Sequence, residues 1–261
     1  MAYLEMHYYS AALQRQVTVN VLLPESSKSS GSVGKPEGSC KTLYLYHGLS
    51  GDQTAWMRRT SIERYADKYK IAVIMPNVDR SWYTDMATGA NYFTFVAKEL
   101  PQVVQSYFKG LSPRREDTLV AGLSMGGYGA LKAALTCPET FGGCASLSGS
   151  LDITRKNRPY NLTEWQSIFG FSLQSADELE GTQHDLYALT RKNHEQGLPF
   201  PKLYLWCGTE DSLLPANRNY RDLLNELGIA HTYAESEGNH SWPWWDLHIQ
   251  DALTCLLDES L

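Results

Sequence analysis

One serine of this chain, Ser124, has the local pattern expected of a covalent nucleophile. Gly122-Leu-Ser-Met-Gly126 matches Gly-x-Ser-x-Gly and lies between a short apolar stretch, residues 118–122, and an alanine-rich stretch that predicts a helix. A serine on a sharp turn from strand to helix exposes its hydroxyl at the top of a sheet, and small neighbours allow that turn. We therefore predict Ser124 as a nucleophile. The alternative is a glycine-rich turn in which Ser124 only caps the helix.

A serine nucleophile needs a base, and the chain has seven histidines: His7, His47, His184, His194, His231, His240 and His248. In enzymes whose nucleophile lies on a Gly-x-Ser-x-Gly turn of this kind, the order along the chain is nucleophile, acid, histidine. His240 follows the last predicted strand, residues 230–234, and precedes a helix that starts at Pro243. His231 lies within that strand, and we place His248 on the surface of the helix. His240 is therefore the predicted base.

The acid that orients the histidine should follow the preceding strand. The segment Cys207-Gly-Thr-Glu-Asp211 follows that strand, and Asp211 lies 87 residues after Ser124 and 29 before His240. Adjacent residues of an extended turn point apart, so Asp211 and Glu210 cannot both reach the histidine. The glycine at position 208 allows a tight turn and favours Asp211.

A second loop, His47-Gly-Leu-Ser-Gly-Asp52, follows the predicted strand 42–46. A loop at this place supplies one backbone N–H of an oxyanion hole, and the residue after the nucleophile supplies the other. We predict the N–H groups of Leu49 and Met125. We expect His47 to fix this loop through a side-chain hydrogen bond.

Together these residues predict the chemistry of a serine carboxylesterase. His240 removes the Ser124 proton as the hydroxyl attacks an ester carbonyl, and Asp211 holds the imidazole in the required tautomer. An acyl-enzyme forms, and water activated by the same histidine releases the acid. The prediction includes no metal and no organic cofactor.

Apolar runs and turn signals along the chain alternate between strand and helix, which predicts one α/β domain, residues 1–261, with a mostly parallel central sheet and helices on both faces. The serine-rich residues 25–39 predict a flexible loop, and residues 151–200 a variable excursion above the sheet. The predicted strands are residues 17–23, 42–46, 71–75, 118–122, 143–147, 202–207 and 230–234. The predicted helices are a segment with a capping box at residues 60–63, residues 92–108 divided or kinked at Pro101, and residues 126–135, 216–227 and from 243 onward.

Composition limits the classes of partner. The 261 residues carry a formal net charge of -6, which disfavours nucleic acid or an anionic membrane as a main partner. The start of the chain lacks the pattern of a secretory signal, and no apolar run approaches the length of a membrane span. The five cysteines are scattered and predict reduced thiols. We expect a cytoplasmic protein that binds a small-molecule ester.

The motifs as a set resemble the esterase D group of α/β-hydrolases, over nearly the whole chain. The motifs that carry the resemblance are Tyr46-His-Gly-Leu-Ser-Gly51, Met75-Pro-Asn, Ser81-Trp-Tyr-Thr-Asp85, Gly122-Leu-Ser-Met-Gly-Gly-Tyr-Gly-Ala130, Cys207-Gly-Thr-Glu-Asp211 and Asn239-His-Ser-Trp242. The resemblance implies that Leu49 and Met125 are the oxyanion donors and that Trp82 and Tyr83 lie near the substrate. Since Trp82, Tyr83 and Trp242 flank catalytic segments, we expect them to shorten the acyl pocket.

Within this group the chain most resembles the bacterial tributyrin esterases, which implies short acyl esters and a homo-oligomer such as a dimer or tetramer. S-formylglutathione hydrolases usually have a cysteine after His-Gly-Leu, where this chain has Ser50-Gly51. A thioesterase of that kind and an esterase of feruloylated or acetylated sugars are the alternatives. A peptidase or an acyltransferase would use the same chemistry. A binding protein on a hydrolase fold would have a damaged triad, whereas the triad residues of this chain are all present.

Overall fold

The structure is a computed structural model that describes residues 1–25, 39–154, 161–170 and 172–257. The predicted flexible loop 25–39 lies almost entirely outside the described residues, as does a part of the segment 151–200. Within the described ranges, no helix is long and apolar enough to cross a membrane.

The described residues form one mixed sheet with the strand order β1-β2-β4-β3-β5-β6-β7-β8. The first two strands pair antiparallel, β2 pairs antiparallel with β4, and every later pair is parallel. This arrangement confirms the predicted α/β-hydrolase sheet. The strands are β1 (Ala2–Ser10), β2 (Arg15–Leu23), β3 (Thr42–Tyr46), β4 (Ala72–Pro76), β5 (Thr118–Leu123), β6 (Gly143–Leu147), β7 (Lys202–Gly208) and β8 (His231–Ser236).

Helices cover both faces of the sheet, as predicted. They are α1 (Ala55–Arg59), α2 (Ile62–Tyr69), α3 (Tyr92–Thr94), α4 (Leu100–Tyr107), α5 (Met125–Thr136), α6 (Leu162–Phe169), α7 (Leu186–Glu195), α8 (Leu214–Glu226) and α9 (Trp242–Leu257). Strand β3 is buried along its whole length. Its Leu43 and Leu45 pack with α2 and α9, whereas Tyr44 and Tyr46 pack with α5 on the opposite face. A strand that is apolar at every position is the expected sequence of a sheet covered on both sides.

Pro101 divides the predicted helix 92–108 in the expected way. A π-helical turn, Phe95–Glu99, lies between α3 and α4, and the N–H of Leu100 donates to the carbonyl of Phe95. Pro101 follows this turn and has no N–H to donate to it, and the Val96 carbonyl accepts from the Tyr46 hydroxyl at 3.3 Å.

Three structural predictions were wrong or incomplete. The edge strand β1 was missed because most of its side chains are exposed and therefore do not alternate in polarity. The helices α6 and α7 lie in the segment where no periodicity was recognised. The predicted capping box is replaced by a long-range contact, since the Asp246 carboxylate accepts from the Ser61 N–H at 2.9 Å.

The turn between β5 and α5 approaches β3 so closely that only glycine fits at two positions. A Cβ on Gly122 would lie 2.3 Å from the carbonyl oxygen of Gly126. A Cβ on Gly126 would lie 2.5 Å from the carbonyl oxygen of Tyr46. Because both obstacles are backbone atoms, neither can be relieved by a rotamer change.

Gly126→Ala should therefore destabilise the fold, although alanine alone would favour a helix by about 1 kcal/mol. We expect a loss of about 2 to 4 kcal/mol in the free energy of unfolding, because β3 or α5 must move. Urea denaturation measures the loss. Gly110→Ala is the control, since a Cβ at this exposed position meets nothing within 4 Å. Equal stability of the two variants would contradict the expectation.

Candidate active site

Ser124 lies on a strained turn between β5 and α5. Its backbone has φ 54° and ψ -119°, a conformation that L-residues rarely adopt. Three hydrogen bonds hold it there. The N–H of Ser124 donates to the Leu147 carbonyl at 3.0 Å, and the Ser124 carbonyl accepts from the N–H groups of Tyr128 and Ser150. The strained backbone is thus fixed by neighbours from β6, α5 and the loop after β6.

The structure brings Ser124, His240 and Asp211 into one hydrogen-bonded chain. His240 Nε2 lies 3.0 Å from Ser124 Oγ, and His240 Nδ1 lies 2.8 Å from Asp211 Oδ2. Since the carboxylate can only accept, Nδ1 carries the proton and Nε2 is free to accept from the serine hydroxyl. These are the contacts that an activated serine requires.

Asp211 is an ionised carboxylate in a buried place. Its side chain is fully buried, and burial alone would raise its pKa. The hydrogen bond with His240 and the one from the Leu213 N–H, at 2.9 Å, outweigh burial and hold the pKa below its ordinary value. Asp211 is therefore negatively charged at neutral pH.

Glu210 has a different contact from its neighbour. Its Oε2 accepts from the Gly238 N–H at 2.6 Å, and its own N–H donates to the Gly238 carbonyl at 2.9 Å. This contact, together with a hydrogen bond from Thr209, lowers the pKa of the exposed Glu210 carboxyl. Glu210 thus ties the loop that follows β7 to the loop that carries His240.

Trp245 contacts the histidine and was not predicted from the sequence. Its ring meets the His240 ring edge to face at a centroid distance of 4.9 Å. Its Nε1–H donates to Ser148 Oγ at 3.1 Å, which fixes the indole. Trp245 is three residues beyond the predicted Trp242, in the first turn of α9, and the two rings pack at a centroid distance of 5.3 Å.

Leu49 and Met125 line the same pocket as Ser124. Met125 is the first residue of α5, so its N–H lacks a partner within the helix. The loop of Leu49 is held by His47, whose Nδ1–H donates to the Gly48 carbonyl at 2.7 Å while Nε2 accepts from the Val78 N–H at 3.1 Å. Burial lowers the pKa of His47, which keeps this ring neutral.

Two openings meet at Ser124 and His240. The first, the Trp82 pocket, has a volume of about 320 Å³ and is lined by Trp82, Trp165, Arg80, Glu164 and Leu213. The second, the Trp242 cleft, has a volume of about 580 Å³ and is lined by Trp242, Ser241, Asp52, Thr54 and Arg58. Both volumes lie in the range of small-molecule sites.

Tyr83 does not contact either opening, and its prediction as a substrate-binding residue was wrong. The side chain is fully buried, and its hydroxyl donates to the His47 carbonyl at 2.9 Å. Its ring stacks on Tyr46 with centroids 4.6 Å apart, and it occupies the space that a Cβ on Gly129 would need. Tyr83 therefore supports the loop of His47 from beneath.

His248 was also misplaced by the sequence analysis. It is buried rather than on the helix surface, and its ring stacks on Trp206 at 4.0 Å. Its two ring nitrogens contact Ser236 Oγ and the Asp251 carboxylate.

The five cysteines are all free and buried. In the described part of the chain, no cluster of three or more His, Cys, Asp or Glu side chains could hold a metal ion.

Comparison with known proteins identifies the family. The sheet, the strained serine turn and the adjoining histidine and aspartate are features of α/β-hydrolases that use a serine. A family model described as "Putative esterase" matches residues 10–256, and the chain belongs to this family. The chain is a carboxylic ester hydrolase of the esterase D and S-formylglutathione hydrolase type.

Individual relatives are similar over nearly their full length. An acetyl esterase of Caldicellulosiruptor saccharolyticus is 32% identical over 97% of both chains. The solved structure of FphF, a fluorophosphonate-binding serine hydrolase of Staphylococcus aureus, is 36% identical, with a TM-score of 0.90 over 99% of both chains. An S-formylglutathione hydrolase (FrmB) structure from the same species is 36% identical, with a TM-score of 0.86 over 98% of this chain and 99% of that one.

The different contacts of Asp211 and Glu210 predict different effects of removing each charge. Asp211→Asn presents an amide to His240 and favours the wrong tautomer, so we expect kcat to fall about 10⁴-fold, as the same change does in a serine protease. Glu210→Gln keeps an oxygen that accepts from the Gly238 N–H, so the loss should stay below about tenfold. Steady-state kinetics on one short ester measures both. A larger loss in the Glu210 variant would reverse the assignment of the acid.

Proposed function

We propose that this chain is a serine carboxylesterase that hydrolyses short-chain acyl esters, with Ser124 as nucleophile, His240 as general base and Asp211 as the orienting acid. The observation that carries the proposal is the chain of hydrogen bonds from Ser124 Oγ through His240 to the buried Asp211 carboxylate.

The proposed reaction has two halves. In the first, His240 Nε2 takes the Ser124 proton while Oγ bonds to the ester carbonyl carbon, and the same proton then passes to the departing alcohol. In the second, His240 takes a proton from water, hydroxide attacks the acyl carbon, and the carboxylic acid leaves as Ser124 regains its proton. The N–H groups of Leu49 and Met125 stabilise the negative oxygen in both halves, since hydrogen-bond donors placed in advance favour the transition state.

The preference for short acyl chains is supported by the size and lining of the Trp82 pocket. Trp82 and Trp165 meet at a centroid distance of 5.6 Å, and both rings are buried. Two large rings that are held by packing leave room for few methylene groups. The similarity to an acetyl esterase supports the same preference.

A second candidate activity is hydrolysis of S-formylglutathione. The similarity to the FrmB structure favours it, and a thioester would follow the same two halves with a thiol as leaving group. A substrate panel decides between the two: S-formylglutathione, 4-nitrophenyl esters, and acetylated and feruloylated sugars. The higher kcat/KM identifies the better substrate class.

The assignment of Ser124 predicts the behaviour of a covalent probe. A fluorophosphonate should label the wild-type chain at one site and leave Ser124→Ala unlabelled, because phosphonylation needs the activated hydroxyl. Gel fluorescence measures the labelling, and circular dichroism verifies that the variant is folded. Ser150→Ala, a serine that lines the same pocket, is the control and should keep the label. Labelling that persists in a folded Ser124→Ala would disprove the assignment.

The size of the pocket predicts how the rate depends on acyl length. Among 4-nitrophenyl esters, acetyl to butyryl should be preferred, and kcat/KM should be at least about tenfold lower for decanoyl, equal to about 1.4 kcal/mol of transition-state binding. The alcohol part stays constant through the series, so only the acyl chain is tested. A profile that rises toward long chains would indicate a lipase-like groove.

A further inference from the structure

One ion pair lines both the Trp82 pocket and a second space. That space, the Met86 groove, has a volume of about 310 Å³. Besides Arg80 and Glu164 it is lined by Asp79, Ser81, Met86, Tyr92, Ser167 and Ile168. Arg80 and Glu164 line both the Trp82 pocket and the Met86 groove. Their side chains are therefore shared by two spaces of nearly equal volume.

The ion pair is bidentate and lies at the rim of the site, with the Arg80 side chain 54% exposed and the Glu164 side chain 23% exposed. Arg80 Nε lies 2.5 Å from Glu164 Oε1, and Arg80 Nη2 lies 3.0 Å from Glu164 Oε2. The hydrogen bonds that Arg80 donates to the Glu164 carboxylate raise the pKa of Arg80 above its ordinary value. Glu164 lies in the first turn of α6, and Arg80 lies in the loop after β4, so the pair also joins these two segments.

Both openings at Ser124 combine apolar and polar side chains, and the two adjoining indole rings favour the Trp82 pocket for the acyl chain. Beyond its ion pair, this pocket presents Trp82, Trp165, Leu49 and Leu213, which suit hydrocarbon. Its lining also includes the polar residues Ser150, Asn161 and Ser212. The Trp242 cleft is larger and has, beside Trp242 and Trp245, the charged residues Asp52, Arg58 and Arg59, which suit a polar alcohol part. An acyl chain that extends from Ser124 past the two rings meets the Arg80–Glu164 pair.

We propose that the Arg80–Glu164 ion pair is the end wall of the acyl pocket and sets the longest acyl chain that the enzyme accepts. The inference rests on the proposed function. With the wall in place, a long chain must displace two paired charges. With either side chain truncated, the Trp82 pocket continues into the Met86 groove, where Met86 and Ile168 offer apolar contact. Each further methylene that enters the groove should then raise kcat/KM up to about fourfold.

The test uses two truncations that open the wall from opposite sides, Arg80→Ala and Glu164→Ala. For each variant and the wild type, kcat/KM is measured on 4-nitrophenyl acetate, butyrate, octanoate and decanoate. We expect the decanoate-to-butyrate ratio to rise at least about tenfold in both variants. Arg191→Ala is the matched control, because Arg191 forms a bidentate pair with Glu226 away from both spaces. It should keep the wild-type ratio.

The outcomes separate this inference from the proposed function. Unchanged ratios in truncated variants that still hydrolyse acetate would overturn the end wall alone. Loss of acetate hydrolysis in both folded variants would also overturn it, since the wall is assigned no part in the chemistry. Ester hydrolysis that survives in Ser124→Ala would instead overturn the proposed function, whatever the ratios.

Discussion

The contact between β3 and the turn from β5 to α5 is the constraint on which the site depends. Gly126 lies against the Tyr46 carbonyl, and this close approach places the start of α5 beside the loop that begins at His47. The same contact forces Ser124 into a conformation that L-residues avoid, at a cost of order 1–3 kcal/mol. Hydrogen bonds to the Ser124 backbone offset that cost. Ser124 and the loop of Leu49 are therefore positioned by one packing contact.

His240 is held by two contacts to its imidazole and by one contact to the loop that carries it. The Asp211 carboxylate contacts Nδ1, the Trp245 ring covers a part of the imidazole, and Glu210 fixes the loop through Gly238. Around Asp211 water is excluded, and charge–dipole interactions are stronger in such surroundings than in solvent. The hydrogen bond between Asp211 and His240 therefore orients the ring more firmly than an exposed pair would.

Much of this site was predictable because its residues follow strands. Parallel strands end at one edge of a sheet, so Ser124, Asp211 and His240 could be chosen from the ends of β5, β7 and β8 before the structure was considered. The sheet itself was predictable because buried strands are continuous apolar runs.

The predictions from the sequence are wrong where contacts between residues far apart in the chain determine the position of a side chain. Tyr83 follows Trp82 directly, yet only Trp82 lines a pocket, because both residues have positive φ and the chain turns sharply between them. The start of α2 is satisfied by Asp246, 185 residues away. His248 is buried because its ring stacks on Trp206 of β7. No local pattern encodes these partners.

The contact between Glu210 and Gly238 closes a loop in the chain. Residues 212–237, which lie between the two contacting residues, contain α8 and β8, and both ends of this segment lie at the site. Their far end is an exposed turn at Gly228, where φ is +66°. Insertions are tolerated best at exposed turns that carry few tertiary hydrogen bonds. The turn at Gly228 is therefore the place where this enzyme can acquire a new segment, such as a tag or a docking module, without moving the groups that do the chemistry.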